Sequence, residues 1–109
     1  MPASSECYAM RMLGLAARAR ALVVGTPLVC KALAAEKKPF AVLLASGVSK
    51  NTEKRIVDRT AFYGVPLYRL EADAEALALA IGKRDAAVAA VALTDRELTS
   101  AVTKELKQV

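Results

Sequence analysis

The chain reads as an α/β protein, a three-layer α/β/α sandwich with a four-stranded mixed sheet and about five helices. Three observations predict it. Helical and extended hydrophobic patterns alternate almost without a gap along the 109 residues. The run Phe40-Ala41-Val42-Leu43-Leu44-Ala45 is continuously apolar, the pattern of a strand covered on both faces. Four strand-like runs interleave with helical stretches, and such alternation is satisfied when one sheet lies between two helix layers.

Residues 6–19 carry Met10, Leu13 and Ala17 at helical spacing, with Arg11 and Arg18 seven apart on another face. Residues 21–24 form a short strand that ends at Gly25. Thr26 is expected to cap the next helix, with Pro27 at its first position, where a missing N–H costs nothing. That helix runs over residues 27–37 with Leu28, Val29, Ala32 and Leu33 as its core stripe, and Pro39 stops it. The apolar strand at 40–45 is expected to pair in parallel. Ser46-Gly47-Val48-Ser49 is a loop, Ser49 or Asn51 caps a third helix reaching Tyr63, and Gly64 closes it in the left-handed conformation.

Residues 66–70 make the third strand, more exposed than the second. Asp73 caps a short helix bearing Leu77, Ala80 and Ile81, which Gly82 closes. After the charged turn Lys83-Arg84-Asp85, residues 86–93 are the fourth strand. Thr94-Asp95-Arg96-Glu97 reads as a capping box with Thr94 as N-cap. It opens a last helix that turns Leu98, Ala101, Val102 and Leu106 inward.

No repeat, linker or low-complexity tract interrupts residues 1–109, so a single domain is expected. With 55% apolar residues the chain can bury a real core, which excludes disorder. Its net charge of +5 is unevenly spread: residues 1–59 carry ten Lys/Arg against four Asp/Glu, residues 60–109 six against seven. A basic half on a small domain favours a polyanion, and RNA is the first partner to consider. Two cysteines, Cys7 and Cys30, make neither a disulfide framework nor, without histidine, a zinc set. No metal or other cofactor is expected, Cys30 reads as a small core residue, and the compartment as the reducing cytoplasm. No apolar run approaches the ~18 residues of a membrane span. Arg11, Arg18 and Arg20 beside the single acid Glu6 have some of the composition of a transit peptide, but the pattern continues directly into a strand, as an ordinary first helix does.

Catalytic constellations are missing: there is no histidine for acid/base work, no nucleophile elbow, and neither phosphate-binding glycine motif. The expected activity is binding. Val23-Val24-Gly25-Thr26-Pro27-Leu28-Val29-Cys30-Lys31 carries a strand end into a glycine turn and then a helix start, whose free N–H groups and partial positive charge suit an anion. Gly82-Lys83-Arg84-Asp85 is a second, charged loop that converges with it if both lie at one sheet end. Lys50, Lys54, Arg55 and Arg59 stack in pairs four apart but are interrupted by Glu53 and Asp58, which reads as a solvated face. Lys37-Lys38 meets the negative end of the second helix. The aromatics do not form a stacking platform of the RRM kind.

Several segments, in order and spacing, resemble one family. They are Leu13-Gly14-Leu15-Ala16-Ala17-Arg18-Ala19, Val24-Gly25-Thr26 with Val29-Cys30-Lys31-Ala32, and Val42-Leu43-Leu44-Ala45-Ser46. Asn51-Thr52, Phe62-Tyr63-Gly64-Val65-Pro66, Ala80-Ile81-Gly82-Lys83 and Ala92-Leu93-Thr94-Asp95 follow. The chain resembles the kink-turn RNA-binding superfamily of ribosomal proteins, the L-seven-Ae and L-thirty-e types, and most of all its small bacterial members of the YlxQ type. The resemblance implies RNA gripped by the start of the second helix and the loop before the last strand. Gly25 matches the family glycine whose backbone approaches the RNA, and Lys31 the basic residue that contacts phosphate; the N–H groups of Gly25 and Thr26 and the side chains of Lys83 and Arg84, after Gly82, are expected to add phosphate contacts. Where kink-turn binders carry polar residues that read guanine edges, often Asn-Glu or Lys-Gln, this chain has Pro27-Leu28, which cannot make those hydrogen bonds. RNA binding is expected here, standard kink-turn readout much less so.

The reading is a non-catalytic, cytoplasmic RNA-binding protein tied to the ribosome or translation, with structured ribosomal or other cellular RNA as its partner. Two other readings stay open: a protein-interaction module that has lost RNA binding, and an accessory nucleotide- or RNA-recognition domain of an RNA-modifying enzyme.

Overall fold

Along the strand Ala41–Ser46, successive side chains enter different layers. Ala41, Leu43 and Ala45 join a core with Ala9, Leu13 and Ala16, whereas Val42 and Leu44 join a second core with Val29, Leu33 and Ile56. A strand with both faces dry needs helices on both sides, and the computed structural model, which describes residues 4–104, 106 and 108, has that arrangement. In chain order the elements are α1 (Ser4–Arg18), β1 (Leu22–Val24), α2 (Thr26–Ala34), β2 (Ala41–Ser46), α3 (Lys50–Tyr63), β3 (Leu67–Asp73), α4 (Ala74–Ala80), β4 (Ala90–Leu93) and α5 (Arg96–Thr103). Helices α1, α4 and α5 cover one face of the sheet, α2 and α3 the other. The fold is the α/β/α sandwich on a four-stranded mixed sheet that the sequence predicts.

The strand order is β1-β4-β2-β3. Only β2 and β3 run parallel; β4 is antiparallel to both of its neighbours. The continuous apolar run of β2 therefore reports burial on two faces, not strand direction, and the parallel pairing expected for it holds on one side alone. Strand β4 is shorter than expected and begins at Ala90. Residues 86–89 stay irregular because Val88 N–H is drawn to the Ala74 carbonyl at 3.0 Å, off the ladder.

The helix ends follow local hydrogen bonding closely. Ser49 caps α3, its oxygen accepting from Thr52 N–H at 3.1 Å, and Gly64 ends that helix at φ 70°. Asp73 caps α4, and the α4 C-terminus is wrapped by two bonds, Gly82 N–H to the Leu79 carbonyl and Lys83 N–H to the Ala78 carbonyl. Helix α2 ends at Ala34, three residues before the expected 37. There Lys38 Nζ donates to the carbonyls of Leu33 and Ala35 at 3.0 and 2.8 Å, so this lysine does meet the negative helix end. At α5 the cap is Asp95, not Thr94, since Thr94 N–H still extends the sheet by donating to the Ala21 carbonyl at 3.0 Å. Leu106 lies past the end of α5 yet packs on the first core.

Two core stripes differ from expectation by one position. In α1 the fully buried residues are Ala9, Leu13 and Ala16, with Met10 and Ala17 at the margin. In α2 the buried residues are Val29, Cys30 and Leu33, while Leu28, expected inside, is 55% exposed.

Helix α1 also carries an interaction that periodicity does not show. Glu6 is buried, and its carboxylate accepts the Glu71 N–H at 2.8 Å and the Ala72 N–H at 2.9 Å. These donors lie near the end of β3, beside the register shift between Leu44 and Ser46 on β2, where the β2 ladder no longer serves them regularly. Leaving two such donors unmet costs several kcal/mol in total at most. Glu6→Ala is therefore expected to lower the unfolding free energy by about 2–4 kcal/mol, and Glu6→Gln, which keeps one acceptor oxygen, by clearly less. Urea denaturation checks this, with exposed Glu75→Ala as a control expected to stay within about 0.5 kcal/mol.

Candidate nucleic-acid interface

The register of the sheet fixes which loops share an end. Val24 at the end of β1 pairs with Val91 at the start of β4, and Leu44 near the end of β2 pairs with Ala90. Hence the start of α2, the loop after β2 and the residues just before β4 lie together. Two hydrogen bonds bind them: Gly25 N–H to the Ala90 carbonyl at 3.0 Å, and Ala45 N–H to the Ala89 carbonyl at 2.8 Å.

Gly25 makes this junction possible. It stands at φ 95° and ψ 145°, outside the region open to side chains, so its N–H finishes the sheet while its carbonyl starts the helix by accepting from Val29 N–H at 2.9 Å. Gly25 is thus the N-cap, and Thr26 is the first helical residue. Thr26 was expected as the cap, but no side chain caps α2. The N–H groups of Thr26 and Leu28 have no acceptor in the helical ladder, and Pro27 has none to satisfy. Gly25 cannot offer its own N–H, which the Ala90 carbonyl holds. What it offers is room: a Cβ built on it meets nothing within 4 Å. Lys31 is exposed, and its side chain lies on the same face as Pro27 and Leu28, four and three residues earlier, which are exposed as well.

Gly82, Lys83 and Arg84 belong to the other helix layer, at the end of α4. Gly82 takes φ 85° to end α4, and Asp85, at φ 56°, turns the chain back toward β4. Short polar residues tolerate that conformation. Lys83 is tied to the Ala78 carbonyl and Val88 to that of Ala74, carbonyls four residues apart, or about 6 Å along the α4 axis. Residues 88–90 therefore abut Gly25, and exposed Lys83 and Arg84 stand further back, around a depression that also includes Glu75 and Leu79. The bond that joins the two loops runs through the Ala90 carbonyl, and the Ala89 carbonyl ties the same segment to Ala45 of β2. No motif marks these alanines; only the register finds them. The same end carries Ser46-Gly47-Val48-Ser49 and exposed Lys50, the first residue of α3.

Elsewhere on α3, Lys54 pairs with Asp58 at 2.7 Å, and that hydrogen bond, with the carboxylate charge behind it, raises the lysine above its ordinary pKa. Arg69 pairs with Glu53. Among the described residues no group of three or more His, Cys, Asp and Glu could hold a metal, and no helix is long and apolar enough to cross a membrane. This sheet end has helix N–H groups without a helical acceptor and the exposed cations Lys31 and Lys50, an arrangement suited to holding an anion.

Comparison with known proteins shows which family the chain is similar to. A Bacillus subtilis (strain 168) protein named RNA-binding protein YlxQ is 40% identical over 85 residues, covering 78% of this chain and 81% of that protein. A protein of the same name from Enterococcus faecium is 37% identical over 67 residues, which span 62% of this chain and 64% of its own length, just short of two thirds. Among solved structures, a Bacillus halodurans C protein of unknown function superposes with a TM-score of 0.74 at 30% identity, covering 86% of this chain and 95% of that one. A Giardia lamblia 15.5kD RNA binding protein superposes with a TM-score of 0.76 over 95% of this chain and 86% of that one; at 15% identity it speaks for the fold alone. The model of the Ribosomal protein L7Ae/L30e/S12e/Gadd45 family matches residues 9–103, nearly the whole chain. On that match and these relatives, the chain belongs to the Ribosomal protein L7Ae/L30e/S12e/Gadd45 family.

Proposed function

We propose that this protein binds structured RNA without catalysing a reaction, in the cytoplasm and in the service of the ribosome or translation. The observation that carries the reading is the Gly25 N–H bond to the Ala90 carbonyl, which sets an uncapped helix start against the end of the preceding loop. The Thr26 and Leu28 N–H groups donate to a phosphate or a base carbonyl there, the RNA backbone approaches over Gly25, and Lys31 holds a phosphate. Lys83 and Arg84 hold the strand as it leaves along α4. Family membership and the two bacterial relatives named as RNA-binding proteins support the same reading.

Contacts of this kind are mainly to phosphate, so affinity should fall steeply with salt. With Lys31, Lys83 and Arg84 each neutralising one phosphate, log K falls by about 0.7–0.9 per contact for each decade of salt. From 50 to 200 mM that is roughly a 20- to 40-fold loss. Electrophoretic titration of a structured ribosomal RNA fragment measures it, and no binding even at low salt would favour a protein-interaction module, for which exposed Pro27 and Leu28 supply an apolar face.

Lys31→Ala, and separately the pair Lys83→Ala with Arg84→Ala, should each weaken that binding while shifting thermal stability by under about 0.5 kcal/mol, because all three side chains are exposed. Unchanged affinity in both variants would place the RNA on another face.

Base readout separates this chain from kink-turn binders. A bidentate base contact gives roughly 1–3 kcal/mol of discrimination, and Pro27 and Leu28 have no group to make one. The protein should bind a standard kink-turn weakly, with little preference over one whose sheared G·A pairs are mutated. Pro27→Asn with Leu28→Glu should raise the preference; both positions are exposed and tolerate the change. Tight, discriminating binding by the unmodified chain would show that recognition rests on other residues.

A further inference from the structure

The C-terminal half of α3 exposes an aromatic ring among cations. Phe62 is 80% exposed, the most open large hydrophobic residue of the described chain. Arg55, Arg59 and Phe62 follow at i, i+4 and i+7, hence on one face of the helix, and both arginines are exposed. The acid on that face, Asp58, is engaged by Lys54 at 2.7 Å. Among the described residues neither Arg55 nor Arg59 has a carboxylate partner. The neighbouring ring is not free: Lys38 Nζ sits 4.5 Å from the centroid of Tyr63. Tyr63 in turn meets Phe62 edge-on, with centroids 4.9 Å apart and planes at 88°. Tyr63 thus braces one side of the Phe62 ring, and the high exposure of Phe62 leaves ring surface open to solvent. An isolated exposed aromatic needs no explanation. One that is braced and flanked by two unpaired arginines, with a third cation behind it, matches what an unpaired base and its phosphates require.

We propose that this patch is a second RNA contact, at which one unpaired base of a single strand stacks on Phe62 while Arg55 and Arg59 hold the flanking phosphates. Phe62 lies about 18 Å along α3 from Lys50, twelve residues at 1.5 Å each, and so stands away from the sheet end at which α2 and α3 begin. The inference goes beyond the interface at the start of α2 and does not depend on it. Charge complementarity selects the occupant, since an apolar partner surface would leave both guanidinium groups without counter-charge.

The chain contains no tryptophan, so Phe62→Trp introduces a single indole that keeps the stacking surface and reports on it. A twelve-nucleotide oligouridine at low salt is the probe. It should quench the emission of the Phe62→Trp protein as it binds, at concentrations matching the affinity of the wild type by fluorescence anisotropy. Phe62→Leu should weaken the oligonucleotide roughly five- to a hundredfold, the range for loss of one stacked base. Arg55→Ala with Arg59→Ala should weaken it too and lower the slope of log K against log salt by about 1.4, two contacts at 0.7 for a single strand. Circular dichroism should show all variants folded, as expected for exposed positions. Arg11→Ala, which removes an exposed cation of α1 in the other helix layer, should bind the oligonucleotide like wild type, which separates a site at Phe62 from diffuse attraction to the basic surface. No binding by the wild type, an unquenched indole, or full affinity in Phe62→Leu would each overturn the proposal; the last is the result expected of a surface that serves a protein partner.

Discussion

Two neighbouring strands without a wet face set the terms for the rest of this molecule. Ala41 to Ala45 of β2 and Ala90 to Leu93 of β4 are buried on both sides, and each sends alternate side chains into one core or the other. Helices must therefore cover both faces, and neither sheet face is open to a ligand. Chemistry is left to the strand ends and the outer helix surfaces. The antiparallel run of β4 between β1 and β2 then decides which loops meet, bringing the end of β1 and the start of β4 to one place. Reversing β4 would keep the same cores and separate the two halves of the candidate interface.

At that sheet end the backbone does more than the side chains. Gly25 closes the sheet and opens the helix within one residue, a double duty that depends on its positive φ. With glycine as the N-cap, the lack of a side-chain cap costs the helix only about a few tenths of a kcal/mol. Here it leaves the helix N–H groups facing outward, where an anion can serve as the cap. Glu6 performs the converse task at the far side of the sheet, using a buried carboxylate to meet the two β3 donors that the register shift releases.

The layers, the number of strands and most helix boundaries were legible in the sequence because each rests on local signals. An unbroken apolar run reveals β2, Ser49 and Asp73 show as caps, and Gly64 and Gly82 show as helix ends. What could not be read depends on contacts between distant residues. The antiparallel direction of β4 leaves no trace in an apolar run. The caps at Gly25 and Asp95 are set by ladder bonds to Ala90 and Ala21, and the role of Glu6 by donors 65 and 66 residues away. At the candidate interface the glycine turn and Lys31 were visible as residue types, and so were Gly82, Lys83 and Arg84. That Ala89 and Ala90, with small apolar side chains, form the join was not. Leu28 illustrates the limit of periodicity: it fits the core stripe of α2 by spacing, yet the helix start turns it outward.

The central claim is that RNA meets this protein through backbone donors at the start of α2, beside the end of the loop that precedes β4. Amide chemical-shift mapping during titration with a structured ribosomal RNA fragment addresses those atoms directly. The N–H groups of Thr26 and Leu28 should move furthest, Lys31 and Val88 to Ala90 should follow, and Gly25 should keep slow hydrogen exchange because its N–H stays bonded to Ala90. Saturable binding that leaves Thr26, Leu28 and Val88 to Ala90 unshifted would contradict the account.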